Sequence, residues 1–467
     1  MRNKKFSNRF TPALLVSLLF ASCAFIASAQ TFTIIATDGD GFTRMSSLVQ
    51  GRDGNLYGTQ IDEDIATDHG TVFKVTPSGT LTVLHTFCPH ANCSDGANPG
   101  PIILGTDGNF YGVTDGGGDT TGSCGSSGCG TLFKLTTGGT FTLLHTFTGP
   151  DGSYPSGMIE GSDGNFYGTA FSGGSVCCGS IFKLTPAGTL TTLHNFSGSD
   201  GSGPTGLVQG TDGNLYGTTY GGGKYEPDFC EPYGGCGTVF KSTTGGAFTS
   251  LHSFQFTDGA ILYPPVAQAD DGTFYGTTWE GPTNNGTIFS ITSTGQAKTV
   301  YTFTGIAANP IVGLIPASDG NLYGTLVEGG SNNCGDGNIY SLSPTGVFTT
   351  VYGSCQYGGF TSVLVQYTSG TFYGTAGPTI YSLDTGLGPF IAFVLPAGKV
   401  GQTVQILGQS LTGTTSVTFN GIPATRFAVV SDTYVTAVVP DKATTGPVVV
   451  TTPAGTLTSN PQFVVTK

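Results

Sequence analysis

Charge is scarce in this sequence of 467 residues: 16 Lys and Arg against 29 Asp and Glu, a net charge of −13. So little positive charge excludes a basic face for nucleic acid or for an anionic membrane surface. Tryptophan occurs once and methionine three times. Helical patterning is missing too. Beyond residue 30 no stretch keeps its apolar residues at a 3.6-residue spacing, which leaves strands as the regular structure. Several common enzyme signatures are absent: there is no Gly-x-Ser-x-Gly, no His-Glu-x-x-His and no phosphate loop.

Glycine, by contrast, is abundant at 76 residues, with 25 prolines. A disordered chain would also be short of apolar residues. This one is 37% hydrophobic, with 32 Phe and 19 Tyr, so the glycines read as turns between many short strands. Residues 1–29 read as a secretory signal. Arg2, Lys4, Lys5 and Arg9 precede an apolar stretch from Leu14 to Ile26, and Ala27-Ser28-Ala29 stands before Gln30. The apolar stretch is too short for a membrane span, and no later segment is apolar enough to anchor the mature chain. Ala21-Ser22-Cys23 loosely follows a lipobox, so lipid attachment at Cys23 is the alternative to a soluble exported protein. The expected location is secreted or in a bacterial cell envelope, periplasmic or extracellular.

Internal repetition is the strongest signal. A Tyr-Gly pair recurs at Tyr57, Tyr111, Tyr167, Tyr216, Tyr275, Tyr323 and Tyr373, at intervals of about 50 residues, the length of a propeller blade. Each copy divides into four strands. Strand A is an apolar run such as Gly206 to Gln209, and B is the Tyr-Gly-Thr run. Strand C is a run such as Thr71 to Thr76, and D one such as Leu81 to Phe87. Asp53, Asp107, Asp163, Asp212, Asp271 and Asp319 each precede a glycine between A and B. Asp-Gly predicts a two-residue hairpin with both central residues at positive φ. The seventh copy has A, B and C but no D, and the mature chain opens with Thr31-Phe32-Thr33-Ile34-Ile35, a D without its A, B and C. Joining the two fragments closes a circular array and removes its open edges. The expected fold is all-β: a seven-bladed β-propeller over residues 30–387, closed by its N-terminal strand, and then a second domain over residues 388–467.

The Tyr-Gly-Thr, Gly-Gly and Gly-Thr-Val-Phe pattern resembles the GloVer (Gloeo/Verruco-type) tandem repeat of secreted bacterial proteins, over about residues 31–386. The resemblance implies a repeat fold and no particular activity. From Pro389 the repeat stops. Ala397 to Ser410, Val417 to Gly421, Asp432 to Pro440 and Gly446 to Thr451 then read as the alternating strands of an immunoglobulin-like β-sandwich. This part resembles the IPT/TIG domain over residues 389–465, through Phe419 to Ala424 (Phe-Asn-Gly-x-x-Ala) and Val439-Pro440. Some members of that family contact DNA, but basic residues here are few: Lys399, Arg426, Lys442 and Lys467.

In such a repeat the A–B and C–D turns share one face and are short. The B–C and D–A loops share the other and are long and variable. All ten cysteines after the leader fall in the long loops. In an exported chain that favours disulfides, with Cys88–Cys93, Cys124–Cys129, Cys230–Cys236 and Cys334–Cys355 as the local pairs and Cys177–Cys178 as a strained adjacent one. Zinc is the competing use of such spacing.

A face stapled in this way is the expected working face. It carries Trp279 and Glu280 and, in the long loop of repeat four, Tyr225 and Tyr233 among Glu226, Asp228 and Glu231. Aromatics beside carboxylates can stack a sugar ring and bond its hydroxyls, which makes Trp279, Glu280, Tyr225 and Tyr233 the expected ligand contacts. The plainer use of Trp279 is loop packing. Asp62, Glu63, Asp64 and Asp68 are a calcium candidate, set against a solvated acidic loop; no other cofactor is expected. His69 and His90 lie in the same loops without a clear third ligand. His85, His145, His194 and His252 share one position in strand D and read as structural. The ends of strand A supply Gln50, Glu160, Gln209, Gln268 and Gln366, one acid where glycoside chemistry needs two. The expected function is a non-catalytic binding or surface-interaction protein with an extracellular glycan or protein as partner. The alternative is an extracellular polysaccharide lyase or glycosidase.

Overall fold

The structure, a computed structural model, describes residues 30–37, 43–62, 69–89, 93–121, 123–224, 230, 234–304, 310–328, 337–353, 359–360 and 362–466. Among them the helical content is one turn of 3-10 helix, Gly125–Ser127. No helix is long and apolar enough to cross a membrane. The repeat region forms seven antiparallel sheets among the described residues, one for each Tyr-Gly copy. Repeat four shows the plan: Ser202–Gln209, Leu215–Gly221, Thr238–Ser242 and Phe248–Ser253 pair in chain order. The seventh sheet takes its fourth strand from the other end of the chain. Thr31–Thr37 runs antiparallel to Thr379–Asp384, with Ile34 opposite Tyr381. That sheet also meets the first one, where Thr375 Oγ1 donates to Met45 O at 3.0 Å and Tyr367 OH to Gly54 O at 2.7 Å. The sheets therefore follow one another in a closed ring.

The Tyr-Gly pair is explained by what surrounds it. The phenol OH donates to the Asp of its own Asp-Gly turn, at 2.8 to 3.0 Å, in five repeats. The ring packs on the first strand-B residue of the next repeat: Tyr57 on Phe110, Tyr111 on Phe166 and Tyr216 on Phe274, each with centroids 4.1 Å apart. The glycine leaves room for the strand-C aromatic; a Cβ on Gly276 would stand 2.5 Å from the Phe289 ring. One residue pair thus joins three strands and two repeats.

The Asp-Gly turns differ from the expected two-residue hairpin. Only the glycine takes positive φ (Gly54, +77°); Asp53 does not. Gly51 N donates to Asn55 O and Gly54 N to Gly51 O, which makes a type I turn ended by a left-handed glycine, a three-residue loop. The sequence signal was misread because the aspartate is selected for its side chain. Asp53 Oδ1 accepts from Asn55 N and Oδ2 from Asn55 Nδ2 and Tyr57 OH.

In repeats two and four a lysine from strand C joins: Lys134 Nζ lies 2.8 Å from Asp107 and Lys241 Nζ 2.9 Å from Asp212. Burial pushes both carboxyls up, but the lysine, asparagine and tyrosine donors outweigh it and hold each at about 2. The unfolded carboxyl titrates near 3.9. The stabilisation is therefore complete above about pH 4 and is lost as pH falls towards 2. Thermal melts should give a steady Tm above about pH 4 and a falling one below it. The fall should be shallower in Asp107→Asn/Asp212→Asn.

The strand-D histidines pin the crossover to the next repeat. His85, His145, His194 and His252 contact Asp95, Asp151, Asp200 and Asp258 at 2.7 to 3.1 Å. The other carboxylate oxygen accepts a backbone N–H from the loop, as from Ser197. Repeats five and six carry Tyr301 and Tyr352 in place of the histidine. Tyr301 stacks on Phe348 and Tyr352 on Phe32, ring against ring.

Beyond the ring, two four-stranded sheets face each other. One contains Ala392–Phe393, Thr403–Leu407, Tyr434–Val438 and Phe427–Ser431; the other contains Ile422–Pro423, Ser416–Phe419, Val448–Thr452 and Gly455–Thr458. Val404, Ile406, Val435, Val417, Phe419, Val448 and Val450, drawn from both sheets, share one buried core.

Candidate functional site

The two faces of the ring are used differently. On the short-turn face the C-terminal sandwich is docked. Arg52 lies over the Tyr434 ring at 4.8 Å, and Thr433 Oγ1 donates to Arg52 O at 2.7 Å. Gln409 Nε2 donates to Thr368 Oγ1 at 2.9 Å, and Phe390 N to Thr368 O at 3.0 Å. A cleft of about 790 Å³ remains between the turns at Asp163 and Asp212 and the sandwich residues Lys399 and Thr466.

The strand-A ends on this face are inter-repeat clasps. Gln50 Oε1 accepts from Thr368 N, Gln209 Oε1 from Ser162 N, Gln268 Oε1 from Thr211 N and Gln366 Oε1 from Ser318 N. Glu160 does the same work, accepting from Thr106 N at 2.7 Å and from Thr106 Oγ1 at 2.5 Å. Burial pushes the Glu160 carboxyl up against these donors. The one acid among these ends thus holds neighbouring turns together.

The other face is stapled. Disulfides join Cys88 to Cys93, Cys124 to Cys129, Cys177 to Cys178 and Cys230 to Cys236. Cys88–Cys93 brackets the extra residues that separate His85 from Asp95, a longer interval than in the other three histidine repeats. Cys230 and Cys236 are buried with Val239, Phe254 and Leu262. Replacing both by serine should cost about 2–4 kcal/mol in denaturant unfolding, through lost loop restriction. Cys334 and Cys355 lie outside the described residues, as do Tyr225, Tyr233, His90, Glu63, Asp64 and Asp68. Among the described residues one metal-capable trio occurs, His69 with Cys88 and Cys93. Its two sulfurs are bonded to each other, which leaves a single histidine as a ligand.

Register brings an aromatic arc to this face. Four residues beyond the Tyr of Tyr-Gly, the repeats place Ile61, Asp115, Phe171, Tyr220, Trp279, Val327 and Gly377. The three consecutive aromatics, with Tyr263 from the D–A crossover, form a chain of edge-to-face contacts. Phe171 and Tyr220 are 5.8 Å apart, Tyr220 and Tyr263 5.1 Å, and Tyr263 and Trp279 5.7 Å. Phe171 and Tyr263 are each 37% exposed; Tyr220 and Trp279 are half-buried. The backbone fixes the far end, where Trp279 N donates to Ile261 O and Ala260 pairs with Glu280. Carboxylates flank the arc in sequence register, Asp115 one repeat before Phe171 and Glu280 beside Trp279. Desolvation pushes the Asp115 carboxyl up, although the residue keeps an exposed edge. Sequence reading found Trp279 and Glu280 but missed Phe171 and Tyr220. Their shared offset from Tyr-Gly was the available signal. Tyr263 sits in a crossover without that register.

A closed ring of antiparallel sheets, four-stranded except for the five-stranded first, with the Tyr-Gly tyrosine stacked on the next sheet at four junctions, defines a β-propeller-like repeat protein. The chain matches the family described as the Gloeobacter/Verrucomicrobia repeat over residues 119–336 and 231–393, more than half its length. It belongs to that family. No curated protein matches it. Among solved structures it is similar to a virginiamycin B lyase from Staphylococcus aureus, at 15% identity and a TM-score of 0.52, covering 76% of this chain and 99% of that one. It is also similar to the extracellular domain assigned to a hybrid two-component system of B. thetaiotaomicron, at 11% identity and a TM-score of 0.51. There the match covers 94% of this chain and 59% of that one. Identities this low carry the fold alone.

Proposed function

We propose that the chain is a secreted or envelope-exposed binding protein whose ligand, a glycan, lies along the Phe171–Tyr220–Tyr263–Trp279 arc. In this reading residues 30–387 are a seven-bladed propeller and residues 388–467 an immunoglobulin-like IPT/TIG module. The observation that carries it is the chain of partly exposed rings on the stapled face. Rings with an open face bury the apolar side of a sugar, and neighbouring carboxylates accept its hydroxyl protons. The sandwich occupies the opposite face, so the arc is on the side left open to a large ligand. Binding is favoured over lyase or glycosidase chemistry because Glu160 is committed to the Thr106 clasp. The expected ligand contacts are Trp279 and Glu280, extended by Tyr220, Tyr263 and Phe171; Tyr225 and Tyr233, expected from the sequence, lie outside the described residues. A glycan-array screen of the mature protein, with and without calcium, tests this. Selective retention of oligosaccharides supports it; no retention of any glycan, or turnover of one, overturns it.

A further inference from the structure

The C-terminal sandwich carries an open edge. Strand Phe427–Ser431 ends its sheet, bonded among the described residues to Tyr434–Val438 alone. All five of its residues are exposed. Val430 is 61% accessible, and Phe427 and Val429 are also among the exposed large hydrophobics. An apolar edge strand is a template for pairing, and folded proteins commonly blunt one with lysine or proline. The run Phe427-Ala428-Val429-Val430-Ser431 contains neither. Phe427 stands opposite Ala437, and Val438 N donates to Arg426 O. That alternation turns the N–H and C=O of Phe427 and Val429 away from Tyr434–Val438, towards the open side.

We propose that this edge joins two copies of the chain, their Phe427–Ser431 strands pairing antiparallel across a two-fold axis at Val429. The charges at the strand ends argue for a second copy as the occupant. A two-fold at Val429 sets Phe427 opposite Ser431 and Ala428 opposite Val430. It also sets Arg426 opposite Asp432 of the partner subunit, twice in each contact. The strand thus carries its own complement, as an isologous contact requires. The bulge at Val430 lies one residue from the axis, and symmetry repeats it on both strands. The sandwich is docked on the short-turn face, so self-association through it leaves the aromatic arcs of both copies open.

The test is sedimentation of the full mature chain across a concentration series. The wild type should dimerise. Arg426→Asp, which sets like charges opposite each other, should weaken the dimer at least tenfold. Arg426→Asp/Asp432→Arg, which restores the complement in reverse, should recover most of that loss. Asp432 Oδ1 also accepts from Thr412 N, so the double variant is checked by its melting temperature. Val430→Lys, wholly on the exposed strand, supplies an independent arm and should also dissociate the dimer. A wild type that stays monomeric at every concentration overturns the proposal. So does an Arg426→Asp or Val430→Lys variant that associates as tightly as the wild type, or a well-folded double variant that recovers nothing.

Discussion

Deleting residues 30–37 should unfold the repeat domain, with loss of the cooperative melting transition and aggregation of the product. The segment is the outer strand of the seventh sheet, paired with Thr379–Asp384 from Thr31 to Thr37. Its removal leaves the buried Thr379–Asp384 strand as a bare edge, and a newly exposed edge invites pairing with other chains. Each lost ladder bond is worth about 0.5–1.5 kcal/mol. Phe32 adds more. Its ring stacks on Tyr352 at 4.2 Å and on Tyr381 at 5.0 Å, so it bridges the sixth and seventh sheets. Burying a phenylalanine contributes about 1.5–3 kcal/mol. Together these losses approach the net stability of a typical domain, about 5–15 kcal/mol. Phe32→Ala alone should lower stability by about 2 kcal/mol and keep the transition cooperative. A truncated protein that melts like the wild type would show that the ring does not depend on this strand.

Removing the two ends of the arc should nearly abolish glycan binding while the fold survives. Phe171→Ala and Trp279→Ala each take away one stacking ring, worth about 1–3 kcal/mol, or roughly tenfold or more in affinity. The two rings are separated by Tyr220 and Tyr263, so the losses should add, to about a hundredfold in the double variant. Both side chains are partly exposed and lie outside the Tyr-Gly packing that joins the sheets, so the variants should remain folded. Normal affinity in the double variant would move the binding site elsewhere, first to the cleft between the Asp163 and Asp212 turns and the sandwich.

The architecture was legible because the sequence repeats its own contacts. Each Tyr-Gly marks a place where a phenol, an Asp-Gly turn and a neighbouring aromatic meet, and seven copies make the period plain. The missing fourth strand was legible for the same reason, as a D strand without a body at one end and a body without a D strand at the other. The turn type was not. Asp-Gly fits two hairpin loops, and Asn55 and Tyr57 bonding back to Asp53 decide between them. The strand-A glutamines were visible as a series, but their purpose depends on the backbone of the preceding repeat, which a single sequence does not display. The His–Asp pins could have been read: Asp follows His at the same interval in three repeats, and repeats five and six, which lack the histidine, lack that aspartate too. The arc was half legible. Trp279 stood out by being unique, whereas Phe171 and Tyr220 looked like ordinary strand residues until the register placed them side by side.

Because Trp279 is the only tryptophan in the chain, its fluorescence reports on one end of the arc alone. Titrating the mature protein with an oligosaccharide that it retains should shift or quench this emission, with a midpoint equal to the dissociation constant measured by calorimetry. Tyr220→Ala should move both values together to weaker binding. A ligand that binds by calorimetry yet leaves the Trp279 emission unchanged to saturation would contradict the placement of the site on the arc.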